Sequence, residues 1–150
     1  MAIYQIVRIG EEILREQAVE VPKLTPNIHK LLDNMAETMY KAKGVGLAAP
    51  QVGVPKRVIV VDAGDGLREF VNPVIIKKSG EAMDQEGCLS VPNTYGDVKR
   101  ATRLVVSALD RNGEKFDLEA EGFLARVIQH ETDHLDGILF VDIAEKLYDN

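Results

Sequence analysis

Gln129-His130-Glu131-Thr132-Asp133-His134-Leu135-Asp136-Gly137 has the form of a helical segment that binds a metal ion and carries its own base. On an α-helix, residues four apart sit one turn above each other, so His130 and His134 can offer imidazole nitrogens to one ion. With about 100° of rotation per residue, Glu131 lies roughly 60° around the helix from His134, near enough to reach a water on that ion without being a ligand. The bland alternative is a histidine pair on a solvated helix face. Yet the chain has only three His in 150 residues, and at such a composition H-E-x-x-H arises by accident about once in two hundred chains. Chance explains it poorly.

Composition bounds what surrounds that segment. A 150-residue chain that is 45% hydrophobic and 28% charged is predicted to form a single domain over residues 1–150 with a real core. A net charge of -6 and the lack of any dense Lys/Arg run argue against nucleic-acid and anionic-membrane partners. No apolar run reaches membrane-span length, and Met1-Ala2-Ile3-Tyr4-Gln5 lacks the basic, then apolar, start of a secretory signal, so the cytosol is the expected compartment. Cys88 is the single cysteine and has no internal disulfide partner, in keeping with a reducing compartment.

Outward from the motif the pattern is α+β. Upstream, Leu124, Val127, Ile128 and Leu135 predict a helix from near Gly122, with Gly137 placed to cap its end. Thr102–Leu109 and Glu114–Leu118 flank Asp110-Arg111-Asn112-Gly113, whose Asn-Gly pair predicts a tight antiparallel hairpin. Lys56–Asp62, Glu69–Val71 and Val74–Lys77 read as further strands, broken at Gly64-Asp65-Gly66 and at Asn72-Pro73. Thr25-Pro26 supplies an N-cap and an N1 proline for a long helix whose stripe Ile28, Leu31, Leu32, Met35, Ala36, Met39 runs to Gly44, the expected C-terminal cap. His29 is expected at the surface beside it. Glu11–Glu16 predicts a short helix with an acidic first turn. Gly44–Gly53 makes poor helix and poor strand and is expected to be a loop whose backbone passes close to something, with Gln51 its one polar side chain. The predicted fold is mixed, largely antiparallel β-sheets around a central helix that carries H-E-x-x-H.

A third ligand has to come from outside the helix. Glu86-Gly87-Cys88-Leu89-Ser90-Val91-Pro92 is the source chosen, because a thiolate is a strong transition-metal ligand and His29 is remote. A Cys, His, His set leaves a fourth position for water, the mark of a catalytic site. Cys88 as a buried small hydrophobe, or as a nucleophile activated by a histidine, are the competing readings.

Gly44-Val45-Gly46-Leu47-Ala48-Ala49-Pro50-Gln51, Glu86-Gly87-Cys88-Leu89-Ser90 and Gln129–Gly137 together resemble the three motifs of peptide deformylase, in the family's order, and the resemblance runs from Ile6-Val7 to about Phe140-Val141-Asp142. It implies removal of the N-formyl group from the initiator formylmethionine of nascent bacterial or organellar proteins, in a bacterial cytoplasm or an organelle matrix. It implies a divalent ion on Cys88, His130 and His134, with Fe(II) the ion in vivo and Zn(II), Ni(II) or Co(II) as replacements. A water on that ion would attack the formyl carbonyl, with Glu131 as general base and then acid. Gln51 and the backbone N–H of Leu89 would steady the oxyanion, while the backbone of Gly46 would hold the substrate chain.

Val45, Phe123 and Val127 are expected as walls for the methionine side chain, with Arg126 at the rim. Asp133 could orient an imidazole or tie down a loop, and Glu86 with Arg100 could form a supporting ion pair. Only 13 residues follow Gly137, fewer than the C-terminal helix with which some members dock at the ribosome, so ribosome contact is in doubt. Three rival readings remain. A metalloprotease needs a downstream third ligand, where only Glu145 is offered; a closed metal module needs a fourth protein ligand; an inactive relative keeps the fold alone.

Overall fold

The computed structural model describes residues 2–149. In chain order it contains α1 (Pro26–Lys41), β1 (Gly46–Ala48), β2 (Val58–Val61), β3 (Arg68–Ser79), β4 (Ala82–Cys88), β5 (Val91–Arg100), β6 (Arg103–Leu109), β7 (Lys115–Glu121), α2 (Gly122–His134), α3 (Phe140–Ile143) and β8 (Lys146–Asp149). Five strands form one sheet in the order β1-β2-β3-β6-β7, and three form a second, β4-β5-β8. All of these strand pairings are antiparallel, as the short connections predict.

The strand β2 explains the layering. All four of its residues are buried, and a strand covered on both faces needs apolar side chains at every position, which Val58-Ile59-Val60-Val61 supplies. Val58 and Val60 pack with Ile28, Leu31, Leu32, Met35 and Met39 of α1. Ile59 and Val61 pack on the opposite face with Ala125, Val127 and Ile128 of α2. Each fully buried aliphatic side chain contributes about 1.5–3 kcal/mol through lost apolar surface. The far side of α2 meets the small sheet, since Arg126 donates to the carbonyls of Val98 in β5 and Ala82 in β4. The motif helix thus lies between the two sheets.

Local chemistry sets the ends of the elements, with some departures from expectation. Thr25 caps α1 as predicted, its hydroxyl accepting from Ile28 N–H. At the other end the left-handed position falls on Lys43, with φ of 60°, and not on Gly44. Lys43 N–H bonds to Tyr40 O and Gly44 N–H to Met39 O, the pair of bonds of a Schellman closure. Gly44 serves another purpose: a Cβ there would stand 2.7 Å from Leu89 Cδ1. After α2, Gly137 does take φ of 75°, and Ile138 N–H closes back on Asp133 O.

The stretch read as a loop over Gly44–Gly53 contains β1 and a 3₁₀ turn over Ala49–Val52. Its small residues allow close antiparallel pairing with β2, Gly46 opposite Val61. The Asn72-Pro73 break is a register shift inside the continuous β3, where Asn72 adopts φ of 52° and its amide bonds to both backbone groups of Val21. The tail pairs with β5 as β8, Tyr95 opposite Tyr148.

Candidate active site

Helix α2 buries its own chemistry. His130 and His134 are 8% and 1% exposed, one turn apart, with ring centroids 5.0 Å from each other in an edge-on arrangement. Burying an imidazole is costly unless it finds partners. For His130 the partner is Glu86 at the buried position of β4, whose Oε1 accepts from Nδ1 at 2.9 Å. That bond fixes the orientation of the ring, so that Nε2 can serve as a ligand once a metal displaces its proton.

Cys88, at the end of β4 beside the Leu89-Ser90 turn, places Sγ 3.4 Å from His134 Nε2. Ligand atoms of Cys88, His130 and His134 all lie within 4.8 Å of one another. Donors about 2.0–2.3 Å from a shared tetrahedral ion stand roughly 3.5 Å apart, so the trio needs little movement to bind one, and thiolate with two imidazoles suits a transition ion. No fourth protein ligand joins the group among the described residues. Burial holds the pKa of His134 well below the ordinary imidazole value. Burial also acts to lower His130, but its contacts with Cys88 and Glu86 outweigh that and raise it to about 10.

Behind His130 stands a closed ionic network. Arg100 grips Glu86 in two bonds of 2.9 and 3.0 Å, Arg126 adds a third at 2.6 Å, and Arg100 also reaches Asp133 Oδ2 at 2.6 Å. Burial would push the Glu86 carboxyl up, but the hydrogen bonds from His130 and Arg100 prevail and bring it down to about 2. Such forked, charge-assisted bonds fix orientation as well as charge. Arg126, expected at the rim, is instead buried at 8% exposure, because it neutralises Glu86 and satisfies two strand carbonyls. Asp133 meets Arg100 and no imidazole.

The front of the site is differently furnished. Glu131 is 4% exposed, and its Oε1 has no hydrogen-bond partner among the described residues. Burial raises its carboxyl to about 7, against the opposing pull of His130. Gln51 is oriented unambiguously, because Ala48 N–H donates to its Oε1 at 2.9 Å. Its Nε2 therefore faces Ser90 Oγ at 3.0 Å and Cys88 Sγ at 3.5 Å. Ser90, fully buried, escaped the sequence reading, which offered only its place beside Leu89. Backbone bonds from Val7 N–H to Gln51 O and from Ile9 N–H to Ser90 O strap the two motif segments together.

Gln51, Cys88, His130 and Glu131 line a cleft of about 420 Å³ with Val45, Gly46, Leu89, Phe123 and Val127 on its wall. Val45 and Phe123 are exposed while Val127 is buried. Tyr95 of β5 also reaches it. His29 lies elsewhere, its Nε2 donating to Arg111 O.

Comparison with known proteins agrees with this geometry. A family model described as polypeptide deformylase matches residues 3–150. A peptide deformylase of Desulfitobacterium hafniense is 63% identical over 146 residues, covering 97% of each chain. The crystal structure of peptide deformylase from Thermotoga maritima superposes with a TM-score of 0.94 at 41% identity, covering 96% of this chain and 99% of that one. One from Synechococcus elongatus, solved in complex with actinonin, gives 0.92 at 42% identity over 95% of this chain and 79% of that one.

Proposed function

This chain belongs to the polypeptide deformylase family, metal-dependent enzymes that remove the N-formyl group from nascent peptides, and we propose that Glu131 is the base of that reaction and Gln51 and Leu89 its oxyanion donors. The observation that carries the assignment is the buried Glu131 Oε1, unpartnered among the described residues, beside a three-donor cluster of which Cys88 and His130 line the cleft. Cys88, His130 and His134 would hold the ion, with Fe(II) assigned in vivo and Zn(II), Ni(II) or Co(II) as substitutes. When bound, a divalent ion supplies Lewis acidity, making water more acidic and polarising the formyl carbonyl.

Everything else falls to the protein. Glu131, with a free oxygen in a dry setting, takes the proton of the attacking water and returns it to the departing amine nitrogen. Ser90 Oγ takes one of the two Nε2 protons of Gln51 at 3.0 Å and Cys88 Sγ the other at 3.5 Å; the longer bond to sulfur is the one that gives way to the oxyanion, which also accepts from the Leu89 backbone N–H. Such a donor is worth about 3 kcal/mol in a water-poor site. Gly46 offers backbone to the peptide, and Val45, Phe123 and Val127 wall the methionine side chain. The substrate is a formyl-Met nascent chain. We place the protein where such chains are made, a bacterial cytoplasm or an organelle matrix, and treat residues 1–150 as one catalytic domain, supported by the extent of the family match. Ribosome contact draws no support from the tail, whose residues 146–149 form β8.

The test is formate release from a formyl-Met peptide by anaerobic, iron-loaded protein beside Glu131→Gln. The expected result is a loss of about 10²–10⁴-fold in kcat with metal still bound at one equivalent. Undiminished turnover by the variant would overturn the role of Glu131.

A further inference from the structure

Gly46 is buried in β1 with extended backbone, a conformation open to any residue, so its missing side chain answers to space. A Cβ built there would lie 2.6 Å from Glu131 Oε2, 2.8 Å from Glu131 Cγ and 2.9 Å from Val127 Cγ1. Real contacts are not so short, and the neighbours have little room to yield. Val127 is packed into the core between α2 and the large sheet. Glu131 is buried on the same helix and lines the cleft beside His130. By contrast, Gly53, Gly64 and Gly66 have open space where a Cβ would stand.

We propose that Gly46 is a positioning residue for the base: the volume its side chain would fill is the volume that holds the Glu131 carboxylate in its reactive orientation. This goes beyond a backbone contact with the substrate, and it rests on the reading of Glu131 as base. A methyl group at position 46 displaces the carboxylate and leaves the substrate-facing N–H and C=O of the strand in place. Misplacing a reacting group by about 1 Å costs roughly a hundredfold in rate, so the loss falls on kcat.

The experiment compares Gly46→Ala, Glu131→Ala and the double variant, all metal-loaded, by thermal unfolding, and Gly46→Ala with the parent by steady-state kinetics. The expected result is a kcat about a hundredfold lower with KM changed less than about threefold. Overpacking lowers Tm by about 5 °C in the presence of Glu131 and by less than half of that once Glu131 is Ala, where only Val127 remains in the way. A raised KM with intact kcat, or equal Tm losses in both backgrounds, would overturn the proposal. If Gly46→Ala does not fold alone, recovery of folded protein in the double variant supports it, and failure of both overturns it. The unfolding cycle does not depend on activity, so it separates this inference from the assignment of Glu131 as base, which Glu131→Gln tests.

Discussion

The two histidines of α2 are one turn apart on one helix, yet their surroundings are opposite. Behind His130, Glu86 is bonded to the ring and to two guanidinium groups, while His134 Nδ1 and the neighbouring Glu131 Oε1 are buried without partners. The contrast separates scaffold from chemistry. Saturated polar atoms hold a ligand in place, and the unpaired Glu131 oxygen, on a residue that lines the cleft, is left for what enters it.

Removing the shared ligand breaks both sides at once and carries the largest effect. Cys88→Ala is expected to lower kcat/KM by about 10³-fold or more, because several kcal/mol of charge stabilisation disappear, with metal content falling in parallel by elemental analysis. Glu86→Ala strikes the scaffold side alone. It leaves buried Arg126 with carbonyl partners but no carboxylate and Arg100 with Asp133 alone, and should cost about 3–5 kcal/mol in chemical denaturation, with metal affinity weakened about 10–100-fold.

Acid dissects the same carboxylate more gently. In metal-free protein the folded pKa of Glu86 is about 2, below its ordinary 4.5, so across that interval the folded state binds fewer protons than the unfolded chain. Its contribution, on the order of 3 kcal/mol, is complete above pH 4.5 and is lost as pH falls toward 2. Denaturation series over that range should show the loss in the parent and a flatter profile in Glu86→Gln. On the front side the smallest change is expected from Ser90→Ala. Losing one neutral hydrogen bond to Gln51 is worth about 1 kcal/mol, a drop of roughly fivefold in kcat with KM nearly constant by steady-state kinetics.

How far the sequence foretold this division depends on where each residue gets its stability. The motif helix, β2 and the β6–β7 hairpin declare themselves through local pattern: imidazole spacing, a run of β-branched residues, and the Asn112-Gly113 pair at the turn. The sequence also offered the three donors that the fold brings within 4.8 Å of one another, Cys88, His130 and His134, since few residue types can serve as ligands. The β4–β5 hairpin was not legible, because Ala82-Met83-Asp84-Gln85-Glu86 has four exposed positions followed by a buried carboxylate, and its strand form comes from pairing with β5. Edge strands β1 and β8 depend likewise on partners distant in sequence. Arg126 read as a rim residue because solvated charge is the default for arginine, and only the fold brings Glu86 and two carbonyls to it.

The strap at the N-terminus carries a consequence for how the protein tolerates change. Val7 and Ile9 reach Gln51 and Ser90 through main-chain atoms only, and Ile9 keeps its side chain exposed. Replacement of that side chain leaves the link intact, so a conventional alanine scan would pass over a connection between two segments of the active site. Only chemistry that edits the peptide group itself, such as exchanging an amide for an ester at position 7 or 9, would make that connection visible.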